Sequence, residues 1–552
     1  MPAQTASQIT SKSQKIRRAH SGCKSCRKRG KKCDETKPTC RACTRLGLEC
    51  GYGVELSFRN VNQQMFQHRP SVPLNTTLDS ASNIESRYLD HFNRHVQCLI
   101  PGYLTEASPN SPKCYVLRSA MLCISASNLS MLNASVQRRA LPRDPRRSVC
   151  SPLANQQHQA EARKYHDQVF AGTHSVITNK TNFEDDAPAI LTAYTILAYY
   201  HHASTNHRQF RVAVWDTVKF VSQYREALAR TKAGNQALQI WYRLCVSHRL
   251  GKPPALLLEG EGNSYFGPNP YPDCFEQLYL RCILGMSTDD LIYDILIKTM
   301  EIRSRLVVFE CIGGRYGRLQ TDRAIGNIAH DVLNHLLGRD KSEYGSEEAQ
   351  QGFVRGAHLR GLLDVQRGRL EVWKSRLSDD QQPYANASIQ RHRDSMNALY
   401  ALLCEIMFHE SNKSNYRGML VQHIVHILDS LDLAVSATAD IYTFSLTEIL
   451  LQLVQLYKAK SLFKYILDIL WPKLESKARG YEHSHYPTHL VKRMIALIAR
   501  YWEGGRDVKF TLPAVPEYIA KVKLLDIYHP IDLVVCGCDG MGGYFVERVP
   551  LP

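Results

Sequence analysis

Apolar residues return every three or four positions over long stretches of this chain and almost nowhere in strict alternation. Leu420, Ile424, Ile427, Leu428 and Leu431 follow that spacing, as do Ile449, Leu453, Leu456 and Leu467 with their neighbours, and Ala162, Tyr165, Val169 and Phe170. Such spacing lays one apolar stripe along a helix and predicts amphipathic helices at these places. Pro142, Pro145, Pro152, the run from Pro268 to Pro272, and Pro472 punctuate them as breakers. A two-residue period, the mark of a half-buried strand, is nearly absent; Ile531 to Val535 offers one short strand. The pattern therefore predicts one large all-α domain over 85–530, without a fixed repeat period, and a C-terminal tail over 531–552. Gly537, Gly540, Gly542 and Gly543 in that tail lack the strand–turn–helix setting of a phosphate loop and read as flexible.

The first 84 residues read differently. Residues 1–20 are rich in Ser, Gln and Thr, then basic, a disordered lead-in. Residues 54–84 hold Pro70, Pro73 and several Asn and Ser with no helical period, a linker. Between them, residues 21–53 form a cysteine-rich module. At 552 residues the chain exceeds one ordinary core, and its 44% apolar and 22% charged content is that of a soluble globular protein.

Charge sharpens the division. The net charge is +17, yet residues 1–50 alone hold 13 Lys and Arg against Asp34, Glu35 and Glu49. Most of the basic excess sits in the first tenth of the chain, the footprint of a polyanion partner: nucleic acid first, an anionic membrane second. No uncharged apolar run approaches the ~18 residues of a spanning helix, and residues 1–14 are polar, without the apolar core of a secretory signal. A reducing compartment is expected, where clustered cysteines point to metal rather than disulfides.

Six of the 17 cysteines lie between residues 23 and 50, as Cys23-x2-Cys26-x6-Cys33, six residues, then Cys40-x2-Cys43-x6-Cys50. A two-residue gap lets two thiolates reach one tetrahedral ion at Zn–S ~2.3 Å. One zinc would leave two sulfurs idle. Two zincs need eight bonds from six sulfurs, so two sulfurs must bridge, and the two equivalent halves favour two ions. Gly30 and Gly47 each lie four residues after a Cys pair, so each half reads as a short helix ended by a C-cap glycine. The first half carries Lys24, Arg27, Lys28, Arg29, Lys31 and Lys32; the second has Arg41 and Arg45, then Glu49. Six thiolates and two zinc ions leave a charge of −2, which fewer cations would balance. The first half is therefore expected to face DNA and the second to act mainly as scaffold. Every position on each ion is filled by sulfur, so the zinc is structural.

Residues 22–53 resemble the fungal binuclear zinc-cluster transcription factors. The resemblance implies that Cys23 and Cys40 bridge. One ion would take Cys23, Cys26, Cys33 and Cys40, the other Cys40, Cys43, Cys50 and Cys23. Arg27, Arg29, Lys32, Cys33, Asp34 and Pro38 stand where the family has the same residue types, with Pro38 in the loop joining the halves. The family places the end of the first helix in the major groove, where Arg and Lys contact guanine O6 and N7. Gly30 stands where the family usually carries a base-reading Lys, Arg or His, so its preference for CGG-type triplets does not carry over directly, and Lys31 is the nearest substitute. The helical region, Ala160–Phe170 and Ala189–Tyr200 above all, resembles the family's regulatory domain more diffusely.

The fold expected is thus a small zinc-stabilised N-terminal module followed by a large all-α domain. The function expected is a nuclear, sequence-specific regulator of RNA polymerase II genes, of the pathway-specific metabolic or secondary-metabolite kind. Its partners would be double-stranded DNA and the transcription machinery or co-regulators, with no membrane. The stretch after Cys50 lacks sustained heptads, so any homodimer would form through the helical domain. The rival is an enzyme whose helical domain is catalytic, marked by a deep pocket of converging titratable groups; no local motif pairs a nucleophile with a base. His483, His485 and His489 read as a loop rather than a metal site. Arg138, Arg139, Arg143, Arg146 and Arg147 read as a solvated loop, or else a second import signal or modification site. Cys536 and Cys538 read as incidental.

Overall fold

Ser445 and Glu448 start a helix at the centre of the C-terminal region by satisfying each other's ends. The Ser445 hydroxyl accepts the Glu448 N–H, and the Glu448 carboxylate accepts the Ser445 N–H. The helix they cap, Leu446–Leu456, is apolar on nearly every side and buried along almost its whole length. It is one of many helices in a computed structural model of the protein. That structure describes residues 23, 25–26, 29, 33–36 and 39–50, and then 81–100, 115–133, 135–141, 144–178, 183–203, 207–247, 282, 284–316, 356–378, 392–410, 415–439, 441–478, 488–514 and 532–551. The chain divides into two compact units, residues 1–79 and 80–552.

The described helix of the first unit is α1 (Arg41–Arg45). In the second unit come α2 (Ala81–His91), α3 (Tyr115–Leu132), α4 (Gln156–Thr178), α5 (Phe183–Ala203), α6 (His207–Arg230), α7 (Lys232–Ser247) and α8 (Thr288–Tyr316). They are followed by α9 (Gly356–Ser375), α10 (His392–Phe408), α11 (Asn415–Ser430), α12 (Leu433–Ala439), α13 (Leu446–Leu456), a run from Lys460 to Ala478, and α16 (Thr488–Glu503); within the run, α14 (Lys460–Lys464) and α15 (Trp471–Ala478) flank a widened turn. The apolar stripes read from sequence face the core. Leu420, Ile424, Ile427 and Leu428 of α11, Ile449, Leu453 and Leu456 of α13, and Ala162, Tyr165 and Val169 of α4 are buried; Phe170 is exposed. Pro472 does not break its helix. The widened turn Tyr465–Leu470 precedes it and relieves the clash a proline ring makes with the carbonyl four residues back. The first described helix of the second unit opens at Ala81. Among the described residues no helix is long and apolar enough to cross a membrane.

α8 is the spine of this unit, and charges lie buried along it. Lys298 and Arg369 reach Asp294 at 3.1 and 2.7 Å, and the Tyr242 hydroxyl donates to Asp294 at 3.3 Å. Further along α8, the Arg303 guanidinium grips Glu410 through two bonds of 2.7 and 2.8 Å and donates to the Lys509 carbonyl at 3.2 Å. Beside Asp294, a cavity of about 10 Å³ lined by Gln239, Tyr242, Arg243, Met286, Asp290 and Asp294 has room for one water.

Two expectations are corrected. Residues 531–552 are not a flexible tail: β4 (Asp532–Asp539) and β5 (Tyr544–Pro550) join β3 (Arg506–Ala514) in an antiparallel sheet of order β3-β4-β5. Leu533, Val534, Val535 and Cys536 are all buried, and Val307, Val308, Cys311 and Ile312 of α8 pack against Ala514, Val534, Cys536 and Val546. Gly540, Gly542 and Gly543 serve the β4–β5 turn, whereas Gly537 lies within β4. Gly542 has φ +81°, and the Asp539 carboxylate accepts the N–H groups of Met541 and Gly543. Nor is the arginine stretch a loop within helices: β1 (Ser135–Leu141) and β2 (Asp144–Leu153) pair as an antiparallel hairpin between α3 and α4.

Candidate metal centre and nucleic-acid interface

Cys40 opens the second half of the cysteine module as the N-cap of α1. Its backbone is extended and its sulfur accepts the Cys43 N–H at 3.4 Å. The first half repeats this bond at the same length, Cys26 N–H to Cys23 Sγ. A second repeat follows: the Cys23 N–H points to Cys33 Sγ at 3.5 Å, and the Cys40 N–H to Cys50 Sγ at 3.3 Å. The 17-residue sequence offset is thus also an offset of hydrogen bonds, and the module is two copies of one thiolate-holding turn. α1 then closes on Gly47, whose φ is +59°. The Leu48 N–H reaches the Cys43 carbonyl and the Gly47 N–H that of Thr44, the paired closure that a left-handed residue permits.

The sulfurs meet the spacing a tetrahedral ion needs. Cys23 Sγ lies 3.7 Å from Cys40 Sγ and 3.6 Å from Cys43 Sγ, and Cys26 Sγ lies 3.7 Å from Cys40 Sγ. Four sulfurs about 2.3 Å from one zinc stand about 3.8 Å apart. Cys23, Cys26, Cys40 and Cys43 are buried, and none of the module's six cysteines is in a disulfide. Each half has its own neighbours. The Cys26 thiol is flanked by those of Cys23, Cys40 and Cys33; the Cys43 thiol by those of Cys40, Cys23 and Cys50. Cys23 and Cys40 belong to both sets. Cys33, Asp34 and Cys40 form a second cluster of possible ligands.

The same geometry divides the thiols by acidity. The amide of Cys26 holds Cys23 below the ordinary thiol range, against the effect of burial. Burial pushes Cys40 up, but the Cys43 amide and neighbouring thiols outweigh it and bring it down. Burial and the surrounding thiols push Cys26 up to about 12 and Cys43 higher still.

Some of what holds the module together carried no role in the sequence reading. The Asp34 carboxylate accepts the Arg41 N–H at 3.1 Å and the Thr36 hydroxyl, and these bonds keep it below the usual carboxylate range. Glu35 has φ +59°, uncommon for a residue with a Cβ, and its N–H points to Cys33 Sγ at 3.4 Å. The Ser25 hydroxyl ties the first half to the Glu49 carbonyl at 2.5 Å. Asp34 had a visible signal, an acid directly after the third cysteine; Glu35 and Ser25 had none.

Of the basic residues expected at DNA, Arg29 is described. It is exposed, and its N–H bonds the Ser25 carbonyl at 3.2 Å. Lys24, Arg27, Lys28, Lys31 and Lys32, with Gly30 and Pro38, lie outside the described residues. So do His483 and His485; His489 is described and joins neither ligand cluster found among the described residues.

Residues 21–57 match the model of the fungal Zn(2)-Cys(6) binuclear cluster domain. Over 87 residues the chain is 33% identical to the Zn(2)-C6 fungal-type transcription factor afumD of Aspergillus fumigatus, covering 16% of this chain and 23% of that protein. It is 45% identical over 53 residues to the lysine biosynthesis regulatory protein LYS14 of Saccharomyces cerevisiae (9% of this chain, 7% of the relative). It is 56% identical over 41 residues to the transcriptional regulatory protein pro1 of Neurospora crassa (7% and 6%). The chain thus spans less than a quarter of the length of these curated relatives, which are transcription factors rather than enzymes. No solved structure matches it. The N-terminal module, with its six gathered thiols, is a fungal Zn(2)-Cys(6) binuclear cluster domain, a domain that binds two zinc ions.

Proposed function

We propose that this chain is a nuclear, sequence-specific DNA-binding regulator of RNA polymerase II genes. The observation that carries this reading is the pairing of two equivalent thiolate turns with a one-sided charge. At the 17-residue offset, Arg29, Lys31 and Lys32 of the first half correspond to Leu46, Leu48 and Glu49 of the second. A cluster that needed cations only for its own balance would carry them on both halves.

In this reading Cys23, Cys26, Cys33 and Cys40 hold one ion, and Cys40, Cys43, Cys50 and Cys23 the other. Zinc supplies a cross-link that a module of this size cannot obtain from an apolar core. Lys24, Arg27, Lys28, Arg29, Lys31 and Lys32 meet the duplex, some at phosphates and some at base edges. Phosphate contacts set affinity and register, and base contacts set sequence. Gly47 and the Asp34 cap hold the second half as a platform. The helical unit recruits co-regulators and, if the protein pairs, supplies the dimer interface. Names among the relatives, such as the lysine biosynthesis regulator, support a pathway-specific metabolic role.

The test is selection of bound sequences from random duplex DNA with the full chain, with and without a zinc chelator. A recurrent short motif recovered only with zinc bound supports the reading. Recovery of no motif from a fully zinc-loaded protein overturns it.

A further inference from the structure

His166 of α4 and His201 in the last turn of α5 face each other through the same ring atom. Their Nε2 atoms stand 3.2 Å apart, with the ring centroids at 5.1 Å and the ring planes at 80°. Two imidazole nitrogens bound to one tetrahedral ion at Zn–N ~2.0–2.1 Å stand about 3.3 Å apart, which puts the ring centroids about 5 Å apart. An aligned N–H···N bond of the observed length would hold the centroids farther apart, at about 5.5 Å. Both separations thus match one edge of a metal's coordination shell.

The protonation pattern fits the same use. Nδ1 of His166 lies 3.0 Å from the Asp167 carboxylate. An ionised carboxylate only accepts, so Nδ1 carries the proton and Nε2 presents a lone pair to His201. A carboxylate behind a histidine is the usual support of a metal-bound imidazole: it fixes the tautomer and raises the basicity of the ligating nitrogen. The rings of Phe170 and Tyr200 lie 5.0 and 5.7 Å from that of His166 and limit its rotation. Solvent reaches the pair from one side: the His166 side chain is 21% exposed and that of Asp167 82%, whereas His201 is buried. An ion therefore has an entry path, and water can complete its coordination.

We propose that His166 and His201 bind a divalent transition-metal ion, Zn²⁺ above all, through their Nε2 atoms. Imidazole suits such ions and not Mg²⁺ or Ca²⁺, which take oxygen ligands. Without metal, the His201 Nε2–H donates to His166 Nε2. The cation replaces that hydrogen bond; His201 carries its proton on Nδ1 instead, and no proton leaves the site. Two imidazoles and water hold an ion less tightly than four thiolates. The cluster ions therefore survive purification, while this site fills and empties with free metal. The bound ion links α4 to α5 and makes the helical unit more stable when metal is abundant. The site lies wholly within the second unit and does not depend on the DNA-binding reading.

The experiment uses the full chain, dialysed until only the two cluster ions remain. Zn²⁺ alone is then added, and bound metal is read by plasma emission after equilibrium dialysis, with thermal melting alongside. Wild type takes up a third ion and melts at a higher temperature with it, because binding to the folded state alone stabilises that state. His166→Gln and His201→Gln each keep two ions and lose both the third and its shift in melting. His201 is buried, so His166→Gln, at the partly exposed position, carries the test if the other variant fails to fold. Asp167→Ala weakens uptake of the third ion by about 10–100-fold, and Asp167→Asn, which keeps an acceptor oxygen, restores part of it. A third ion retained by His166→Gln overturns the proposal and places that ion elsewhere among the chain's 22 histidines. So does a wild type that never exceeds two ions, or one whose melting shifts equally with Mg²⁺.

Discussion

The Asp34 carboxylate accepts the backbone N–H of Arg41 at 3.1 Å, so an acid from the loop after the first cysteine half caps the helix of the second. Arg41 is the residue after Cys40, the sulfur common to both thiol sets. The bond therefore fixes the start of α1 and the direction of the Cys40 side chain together. Its 17-residue counterpart would be Gly51, which has no side chain to cap with; this is where the two halves cease to be equivalent.

Replacing Asp34 with Ala removes the acceptor of the Arg41 N–H at the first turn of α1 and should lower the stability of the module. Asp34→Asn keeps an acceptor oxygen and should recover most of it. The measurement is the rate at which a chromogenic chelator strips zinc from the full chain: faster for Ala, near wild type for Asn. Equal rates for all three proteins would remove Asp34 from the support of the cluster.

The two thiol sets predict an asymmetry among the cysteines. Cys50 neighbours one set and Cys40 both. Cys50→Ala should leave about one zinc per chain with reduced affinity, whereas Cys40→Ala should leave little or none, because loss of a shared sulfur opens both tetrahedra. Plasma emission analysis of purified protein reads this directly. One retained zinc in both variants would mean that Cys40 does not bridge.

The exposed Arg29 should matter for DNA and not for zinc. Arg29→Ala should weaken binding to the selected motif by about 1–3 kcal/mol if the guanidinium reads a base, with zinc content unchanged. Placing Lys at position 30 restores the family's usual cation and should shift the selected triplet. Identical selected sequences for wild type and Gly30→Lys would show that the glycine has no part in specificity.

What the sequence disclosed follows from how local each interaction is. Thiols held by gaps of two and six residues announce a metal site because coordination chemistry operates over a few residues. The stripe from Leu420 to Leu428 announces α11 because one face of one helix meets the core. β4 gave only a faint signal: Leu533 to Cys536 is buried on both faces and shows no alternation. β3 bulges between Val508 and Phe510 and contains Pro513. The support these strands find on α8 comes from more than 200 residues earlier, as in the bond from Cys311 to the Gly537 carbonyl. β1 and β2 carry arginines and prolines where strands usually carry β-branched residues. Asp34 could be seen, but its partner could not, since the bond depends on how the loop between the halves turns back.

The ion pair between Arg303 and Glu410 gives the helical unit a definite acid sensitivity. The Arg303 side chain is 3% exposed and that of Glu410 22%. Burial pushes the Glu410 carboxyl up, but Arg303 outweighs it and holds it down at about 2. In the unfolded chain the same group titrates near 4.3. A carboxyl depressed on folding contributes stability that is complete above its unfolded pKa and disappears as pH falls through its folded pKa. The contribution, about 3 kcal/mol at neutral pH, should therefore be lost between roughly pH 4.5 and pH 2. Glu410→Gln removes the titration and leaves Arg303 buried without its anion, at a cost of about 3–5 kcal/mol. Arg303→Met with Glu410→Leu replaces the pair by apolar volume and should destabilise far less. Thermal melting of the three proteins from pH 7 down to pH 3 separates the cases. Wild type should lose stability steeply below pH 4.5, and the Met/Leu protein should show a shallower decline. Equal slopes for both would mean that the acid sensitivity of this unit arises elsewhere, with Asp294, held at about 2 against burial by Lys298 and Arg369, the next group to replace.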